Sequence, residues 1–232
     1  LTTPITFGEK ADHSIAYLFN KSKFNNTSFT ELKSKGTQHN TSIFALSENK
    51  INLGNNEVSI KSEDSSKGFT GIYLGEKNKL TGEKIKVSDK ATGIYSKDNN
   101  TVEIKNIEVD GQDTVGIYSE KNTTLNSINI SSSNSAVGIY GKEGKITFSG
   151  DNTLNLSSKG TGIYLGEASL NEGNIKLVNK DTDKKDSLVG VYFKDSKSSV
   201  NTSNILIDND TKLIGLYLDN AKVSNKGKIE AR

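Results

Sequence analysis

The pentapeptide Val115-Gly116-Ile117-Tyr118-Ser119 contains the feature that decides the fold, because its central Gly-Ile-Tyr recurs at a nearly constant interval. If Val or Leu is allowed in place of Ile, the chain has seven copies, and their tyrosines are 22, 23, 22, 24, 28 and 25 residues apart. The seven tyrosines are Tyr73, Tyr95, Tyr118, Tyr140, Tyr164, Tyr192 and Tyr217. Repetition at about 20 to 50 residues is typical of solenoids, propellers and other repeat architectures.

Two looser copies precede the seven regular ones. They are Ser42-Ile43-Phe44 and Ile15-Ala16-Tyr17, and neither keeps the glycine. We therefore predict about nine units of 22–28 residues. Residues 1–50 are predicted to form degenerate N-terminal coils, and residues 51–232 to form the regular coils of one continuous solenoid.

A second recurring element lies between the tripeptides and alternates apolar with polar residues. Examples are Ile85-Lys86-Val87, Ile107-Glu108-Val109 and Leu154-Asn155-Leu156. A period of two is typical of a β-strand with one face buried. Clusters such as Asp98-Asn99-Asn100 supply turn residues between the strands. No segment has a sustained apolar period of 3.6, so essentially no helix is expected.

Units this short cannot bury an apolar face alone, but stacked copies can. The sequence therefore predicts an all-β chain folded as a parallel β-helix, with one coil per unit. Pairing at ~4.8 Å per coil would give nine coils a length of roughly 43 Å. Apolar residues make up only 32% of the chain, which suits a thin, elongated core. A leucine-rich repeat would need a Leu-rich signature and helical returns, which this sequence lacks.

Strict alternation also predicts which side chains face inward. Val115, Ile117 and Ser119 would share the inner side, so that the central aliphatic residues of successive coils stack. The tyrosines would then form an outward ladder beside a column of glycines. Alternatively, a bend at the glycine would turn the tyrosines inward.

The succession of Thr/Val-Gly-Ile-Tyr, a polar turn and an Ile-x-Val or Leu-x-Leu strand resembles the large autotransporter adhesins of the fusobacterial type. The resemblance covers roughly residues 42–232. It implies a right-handed β-helix that serves as the passenger of a type V secretion system. It further implies display at the cell surface, with the parent protein anchored by a C-terminal outer-membrane barrel. The implied function is adherence to a protein or glycan of bacterial or host cells, and the alternative is a ligand-free structural stalk.

Composition and charge narrow the possible functions. The chain has no cysteine, 30 basic and 28 acidic residues, and Arg232 as its single arginine. Such balanced charge indicates a solvated surface, so we expect no nucleic-acid partner. No apolar run approaches the ~20 residues needed to span a bilayer, so this segment is not expected to be membrane-embedded.

The chemistry-bearing residues favour a protein that is not an enzyme and has no cofactor. His13 and His39 lie 26 residues apart and are expected to be surface residues. Asp208-Asn209-Asp210 is too short for a calcium repeat, so no metal site is predicted. The alternative is a β-helical polysaccharide lyase or hydrolase, which would need a pair of carboxyl groups close in space.

Two surfaces are candidates for ligand binding. Aromatic rings such as those of Tyr95, Tyr118 and Tyr140 suit sugars and protein interfaces if they face outward. Loop 179–187 is unusually long, and its candidate ligand-binding residues are the charged Asp183, Lys184, Lys185 and Asp186. Loop 61–68 is the other long one, and both loops are expected at the same edge, five coils apart.

Overall fold

The structure is a computed structural model that describes residues 4–25, 30–36, 39–63, 68–181, 188–208 and 212–231. Within these ranges the chain forms 26 β-strands and no helix. The strand pairs are parallel, and each strand pairs with the equivalent strand one repeat later. The predicted all-β solenoid is therefore confirmed.

One side of the solenoid, called here the tyrosine face, is a nine-stranded sheet that contains the repeated tripeptide. Its nine strands confirm the prediction of about nine coils. The strands are Ile15–Phe19, Thr41–Ser47, Thr70–Glu76, Thr92–Asp98, Val115–Ser119, Val137–Gly141, Thr161–Leu165, Leu188–Lys194 and Leu213–Asp219.

The second face follows the tyrosine face in each coil. It consists of Lys23–Asn25, Lys50–Asn52, the first parts of Lys79–Ser88 and Asn100–Asp110, and then Thr123–Asn126, Lys145–Ser149, Ser169–Asn171, Ser199–Asn201 and Val223–Asn225.

The third face completes each coil. It consists of Ile5–Phe7, Glu31–Ser34, Glu57–Ser62, the second parts of the same two long strands, and then Asn129–Ser133, Asp151–Leu156, Asn174–Asn179, Asn204–Asp208 and Ile229–Ala231. Because the two long strands run through the bend between them, the second and third faces form one 17-stranded sheet among the described residues.

Equivalent residues of neighbouring coils are in register. Ile94 pairs with Ile117, and Tyr95 pairs with Tyr118. The central aliphatic residues of the tyrosine face form a column that is fully buried, as predicted. Its members are Ile43, Ile72, Ile94, Ile117, Ile139, Ile163 and Val191.

The glycine column lies inside the solenoid, so the prediction that it would stand beside the tyrosines on the outside is wrong. A Cβ built on Gly116 would lie 2.6 Å from Cγ2 of Val109, a buried third-face residue, and 2.6 Å from the carbonyl oxygen of Gly138. The strand pairing skips this position and two consecutive residues, Gly116 and Ile117, are buried, so we infer a local bend at which the strict alternation fails. Glycine is needed here because the core and the next coil leave no room for a side chain.

The same bend overturns the predicted orientation of the residue before each glycine. Val115 is half-buried instead of facing the core, and the equivalent Ile214 is 37% exposed. Ile117 and Ser119 are fully buried, as predicted. Inward and outward positions therefore alternate only from the residue after the glycine onward.

A ladder of buried asparagines crosses three coils at the start of the second face. Asn49 donates its side-chain amide to Asn78 Oδ1 at 2.8 Å, and Asn78 donates to Asn100 Oδ1 at 3.2 Å. Asn100 in turn donates to the carbonyl oxygens of Leu74 and Gly75. Each carboxamide thus satisfies backbone and side-chain groups in the turn between two faces.

The first coil is displaced by one residue from the predicted alignment. Tyr17 pairs with Ile43, and Leu18 pairs with Phe44. Leu18 therefore occupies the ladder position and is 61% exposed. The irregular copy is Ala16-Tyr17-Leu18, and the assignment of Ile15-Ala16-Tyr17 was wrong because no glycine marks the bend there.

Candidate functional site

The ladder on the tyrosine face is an unbroken column of eight aromatic rings on the outside of the solenoid. Neighbouring ring centres are 4.2 to 5.2 Å apart. Most pairs are stacked within 14° of parallel, and the Tyr164–Tyr192 pair is tilted by 38°. The alternative that the tyrosines point inward is therefore wrong. The column consists of Phe44 and the seven repeat tyrosines, Tyr73, Tyr95, Tyr118, Tyr140, Tyr164, Tyr192 and Tyr217.

Stacking determines what this column presents to a partner. Tyr95, Tyr118 and Tyr140 are half-buried, and both faces of each ring lie against rings of the adjacent coils. The ring edges and hydroxyl groups are therefore the parts available to a ligand. A sugar cannot stack on a ring face within the column without separating two coils.

Carboxylates line the hydroxyl side of the ladder. In each of the seven regular coils an acid follows the tyrosine by two or three positions: Glu76, Asp98, Glu120, Glu143, Glu167, Asp195 and Asp219. The Tyr95 hydroxyl donates to Glu120 Oε2 at 2.7 Å, and the Tyr192 hydroxyl donates to Asp219 Oδ2 at 2.6 Å. The acid two or three residues after each of these tyrosines is visible in the sequence. The spacing of the tyrosines by itself did not predict the hydrogen bonds.

The phenol protons are held tightly in this setting. Burial raises the pKa of Tyr95, and the hydrogen bond to Glu120 raises it further. The hydrogen bond to Asp219 raises the pKa of Tyr192 to about 12, with desolvation adding to the effect. Tyr95 and Tyr192 therefore present protonated hydroxyls next to carboxylates at physiological pH.

The predicted loop site falls largely outside what the structure describes. Asp183, Lys184, Lys185 and Asp186 lie outside the described residues, as do residues 64–67 of the other long loop. The flanking strands show where both loops leave the solenoid. Glu57–Ser62 leads to Thr70–Glu76, and Asn174–Asn179 leads to Leu188–Lys194, so both loops join the third face to the tyrosine face. The strands that flank the two loops therefore occupy equivalent places in their coils.

A groove that the sequence did not predict lies where the second face leads into the third. Its first part has a volume of about 370 Å³. Asn52, Thr81, Glu103 and Asn126 contribute the last outward side chains of the second face, and Gly54, Glu83, Lys105 and Ser127 come from the bend itself.

The second part of the groove has a volume of about 530 Å³ and begins in the next coil. It is lined by Asp151, Thr153, Asn174, Lys176, Asn204, Leu206, Lys228 and Glu230, together with three side chains that lie deeper. This second part lies on the first residues of the third face in the sixth to ninth coils, whereas the first part lies at the bend in the second to fifth coils. The two parts follow one another along the solenoid, and the concave strip that they form is called here the axial groove. A one-dimensional repeat pattern does not show which surfaces are concave.

Most charged side chains along the axial groove are paired. Lys79 Nζ lies 2.8 Å from Glu103, and Lys105 Nζ lies 2.7 Å from Glu83. The hydrogen bond from Lys79 lowers the pKa of the Glu103 carboxyl. In the second part, Asn204 donates to Asn174 Oδ1 at 3.1 Å. The groove is therefore polar, nearly neutral and built from hydrogen-bonding groups.

Among the described residues, no group of three or more His, Cys, Asp and Glu side chains has a geometry that would hold a metal ion. The described part of the chain also has no helix that is long and apolar enough to cross a membrane. Comparisons of the chain with protein-family models, with curated proteins and with solved structures find no match.

Proposed function

We propose that this chain is an adhesive segment of a surface-displayed protein and that it binds a partner along its length. The observation that carries the proposal is the axial groove, which offers hydrogen-bonding side chains in coil after coil. A binding strip that repeats with the coils matches a ligand that is itself extended. The ladder of tyrosine hydroxyls offers a second strip of the same kind on another face.

The lining of the axial groove favours a glycan over a protein segment. Amides, hydroxyls and paired charges supply donors and acceptors for sugar hydroxyls, and half-buried Leu206 supplies an apolar contact. Because most of the charges are paired, an uncharged glycan chain would bury few unpaired charges on binding and so lose little free energy. A protein ligand on a bacterial or host cell is the alternative.

The resemblance to autotransporter adhesins supports the rest of the proposal. We infer that the parent protein is anchored in the outer membrane by a C-terminal barrel and exposes this segment at the cell surface. A solenoid suits that role, since each added coil carries the binding surface farther from the membrane at ~4.8 Å per coil.

A pair of matched variants tests the proposal. Thr153 lies in the axial groove, and Thr161 lies on the tyrosine face beside Gly162; both are half-buried and come from neighbouring strands. Thr153→Tyr would place a ring across the groove, whereas Thr161→Tyr would leave the groove open. We expect glycan-array and cell binding to fall at least tenfold in Thr153→Tyr and to stay near the wild-type value in Thr161→Tyr.

Loss of binding in Thr161→Tyr but not in Thr153→Tyr would assign binding to the tyrosine face. A chain that binds no glycan and no cell would contradict the proposal and leave the structural stalk as the explanation. The bound glycans should also be checked for cleavage, because shortened products would identify the lyase or hydrolase alternative. Circular dichroism of both variants controls for folding.

A further inference from the structure

Two histidines that are distant in sequence lie side by side in the first two coils. The ring centres of His13 and His39 are 5.3 Å apart, with an angle of 34° between the planes. They occupy the same turn of successive coils, because each stands two residues before the paired Ile15 and Thr41. The prediction that both are surface residues is confirmed, but their 26-residue separation concealed their proximity.

The distance fits two ligands of one metal ion. Two imidazoles on a tetrahedral Zn²⁺, with Zn–N bonds of about 2.05 Å, have ring centres about 5.2 Å apart. The observed separation of 5.3 Å is close to that value. Both side chains are exposed, so an ion in solution can reach them.

The first imidazole is also oriented as in many zinc sites. His13 Nδ1 lies 2.7 Å from Asp12 Oδ1. A carboxylate that accepts the Nδ1 proton leaves the Nε2 lone pair free for a metal and makes it a better ligand. Asp12 is thus placed to act as a positioning residue.

The backbone holds the two turns together. Asn40 Oδ1 accepts a hydrogen bond from Ser14 N at 2.9 Å, and Asn40 Nδ2 donates to Ala11 O at 3.1 Å. These bonds tie the residues on either side of His13 to the residue after His39. Both histidines have positive φ angles, 47° and 32°, so each turn has a defined shape.

We propose that His13 and His39 form a two-histidine binding site for a divalent transition metal such as Zn²⁺, with Asp12 orienting His13 and water completing the coordination. The bound ion would cross-link the first coil to the second, both of which lack the glycine of the regular coils. Imidazole pairs suit Zn²⁺, Cu²⁺ and Ni²⁺, whereas Mg²⁺ and Ca²⁺ prefer oxygen ligands.

Isothermal titration of the whole chain with Zn²⁺ tests the site. His13→Asn and His39→Asn are the decisive variants, because asparagine tolerates a positive φ and preserves the turn. Lys159→Asn is the matched control, since Lys159 also has a positive φ, 65°, in a distant coil. We expect each histidine variant to lose at least tenfold in Zn²⁺ affinity and the control to lose none.

Asp12→Asn tests the positioning role. It should weaken Zn²⁺ binding about tenfold, as losses of outer-shell partners do. It should also change the ¹⁵N shifts of the His13 ring, which report which nitrogen carries the proton. Unchanged shifts and affinity would remove Asp12 from the site.

Two results would overturn the site itself. One is wild-type Zn²⁺ binding in either histidine variant, and the other is binding that Mg²⁺ reproduces equally well. Either result would indicate that the metal ions are attracted to surface carboxylates in general and are not bound by the two histidines.

Discussion

The regular coils and the first two coils differ in the residue that stands just before the buried aliphatic column of the tyrosine face. From Gly71 onward, the residue that points inward at the bend is a glycine in all seven coils, whereas Ala16 and Ser42 stand there in the first two. Ser42 is fully buried, and its hydroxyl has no hydrogen-bond partner. The ladder changes in parallel, since Phe44 stacks on Tyr73 without a hydroxyl and Leu18 replaces the aromatic ring in the first coil. The comparison teaches that the glycine, more than the tyrosine, defines a regular coil.

The largest effect should follow from adding a methyl group to a regular coil. In Gly116→Ala the new Cβ would meet both Val109 and the carbonyl oxygen of Gly138. That oxygen belongs to the next coil's backbone, so the coils must separate. We expect a loss of about 1–3 kcal/mol in the free energy of unfolding, the usual cost of overpacking. Urea denaturation followed by circular dichroism measures it.

Gly8→Ala is the control for that measurement. Nothing lies within 4 Å of a Cβ built on Gly8, and its φ lies outside the left-handed region. The same added methyl should therefore be neutral or stabilising by up to about 1 kcal/mol, because it restricts the unfolded chain. Equal losses in the two variants would mean that the glycine column has no special role.

The first coils offer the reverse experiment. Ser42→Ala removes a buried hydroxyl that makes no hydrogen bond while keeping the Cβ, so we expect a gain of about 1 kcal/mol. Ser96→Ala is the matched control in a regular coil. Ser96 is also fully buried, but its hydroxyl shares a hydrogen bond of 2.7 Å with Thr123.

The two serine variants should thus move the urea midpoint in opposite directions, with Ser96→Ala costing about 1 kcal/mol. A loss of stability in Ser42→Ala would show that the irregular coil depends on the hydroxyl after all.

Much of this fold could be predicted from the spacing of the tyrosines. The interval fixed the number of coils, the parallel pairing and the buried aliphatic column at Ile94 and Ile117. The direction of Gly116 could not be predicted, because alternation assumes a straight strand and the chain bends there. The shift of Tyr17 by one position has the same cause.

The candidate sites were harder to predict from the sequence than the fold was. The asparagine ladder carried a signal, since Asn49, Asn78 and Asn100 each follow the ladder aromatic by five residues. The His13–His39 pair could also have been found by dividing the chain into coils. The axial groove could not, since its concavity depends on how the strands are arranged in three dimensions.

The smallest effect concerns alkaline pH and should be confined to the regular coils, because the ladder positions of the first two coils carry no hydroxyl. Burial and the hydrogen bond to Glu120 raise the pKa of Tyr95. The folded chain therefore keeps a proton that the unfolded chain releases near its ordinary pKa of about 10. By linkage, the stabilisation is fully present below that pH and declines as the pH rises through it.

Tyr95→Phe isolates this contribution. It should flatten the decline in the urea midpoint between about pH 10 and 11, where the unfolded chain's tyrosines ionise. Lysines also lose charge in this range, but they do so equally in both proteins, so the difference between the two curves reports the phenol. Hydrogen exchange should show that the opening free energy of the regular coils falls more steeply with rising pH in the wild type than in the variant. Identical curves would mean that the Glu120 hydrogen bond does not hold the phenol proton in the folded chain.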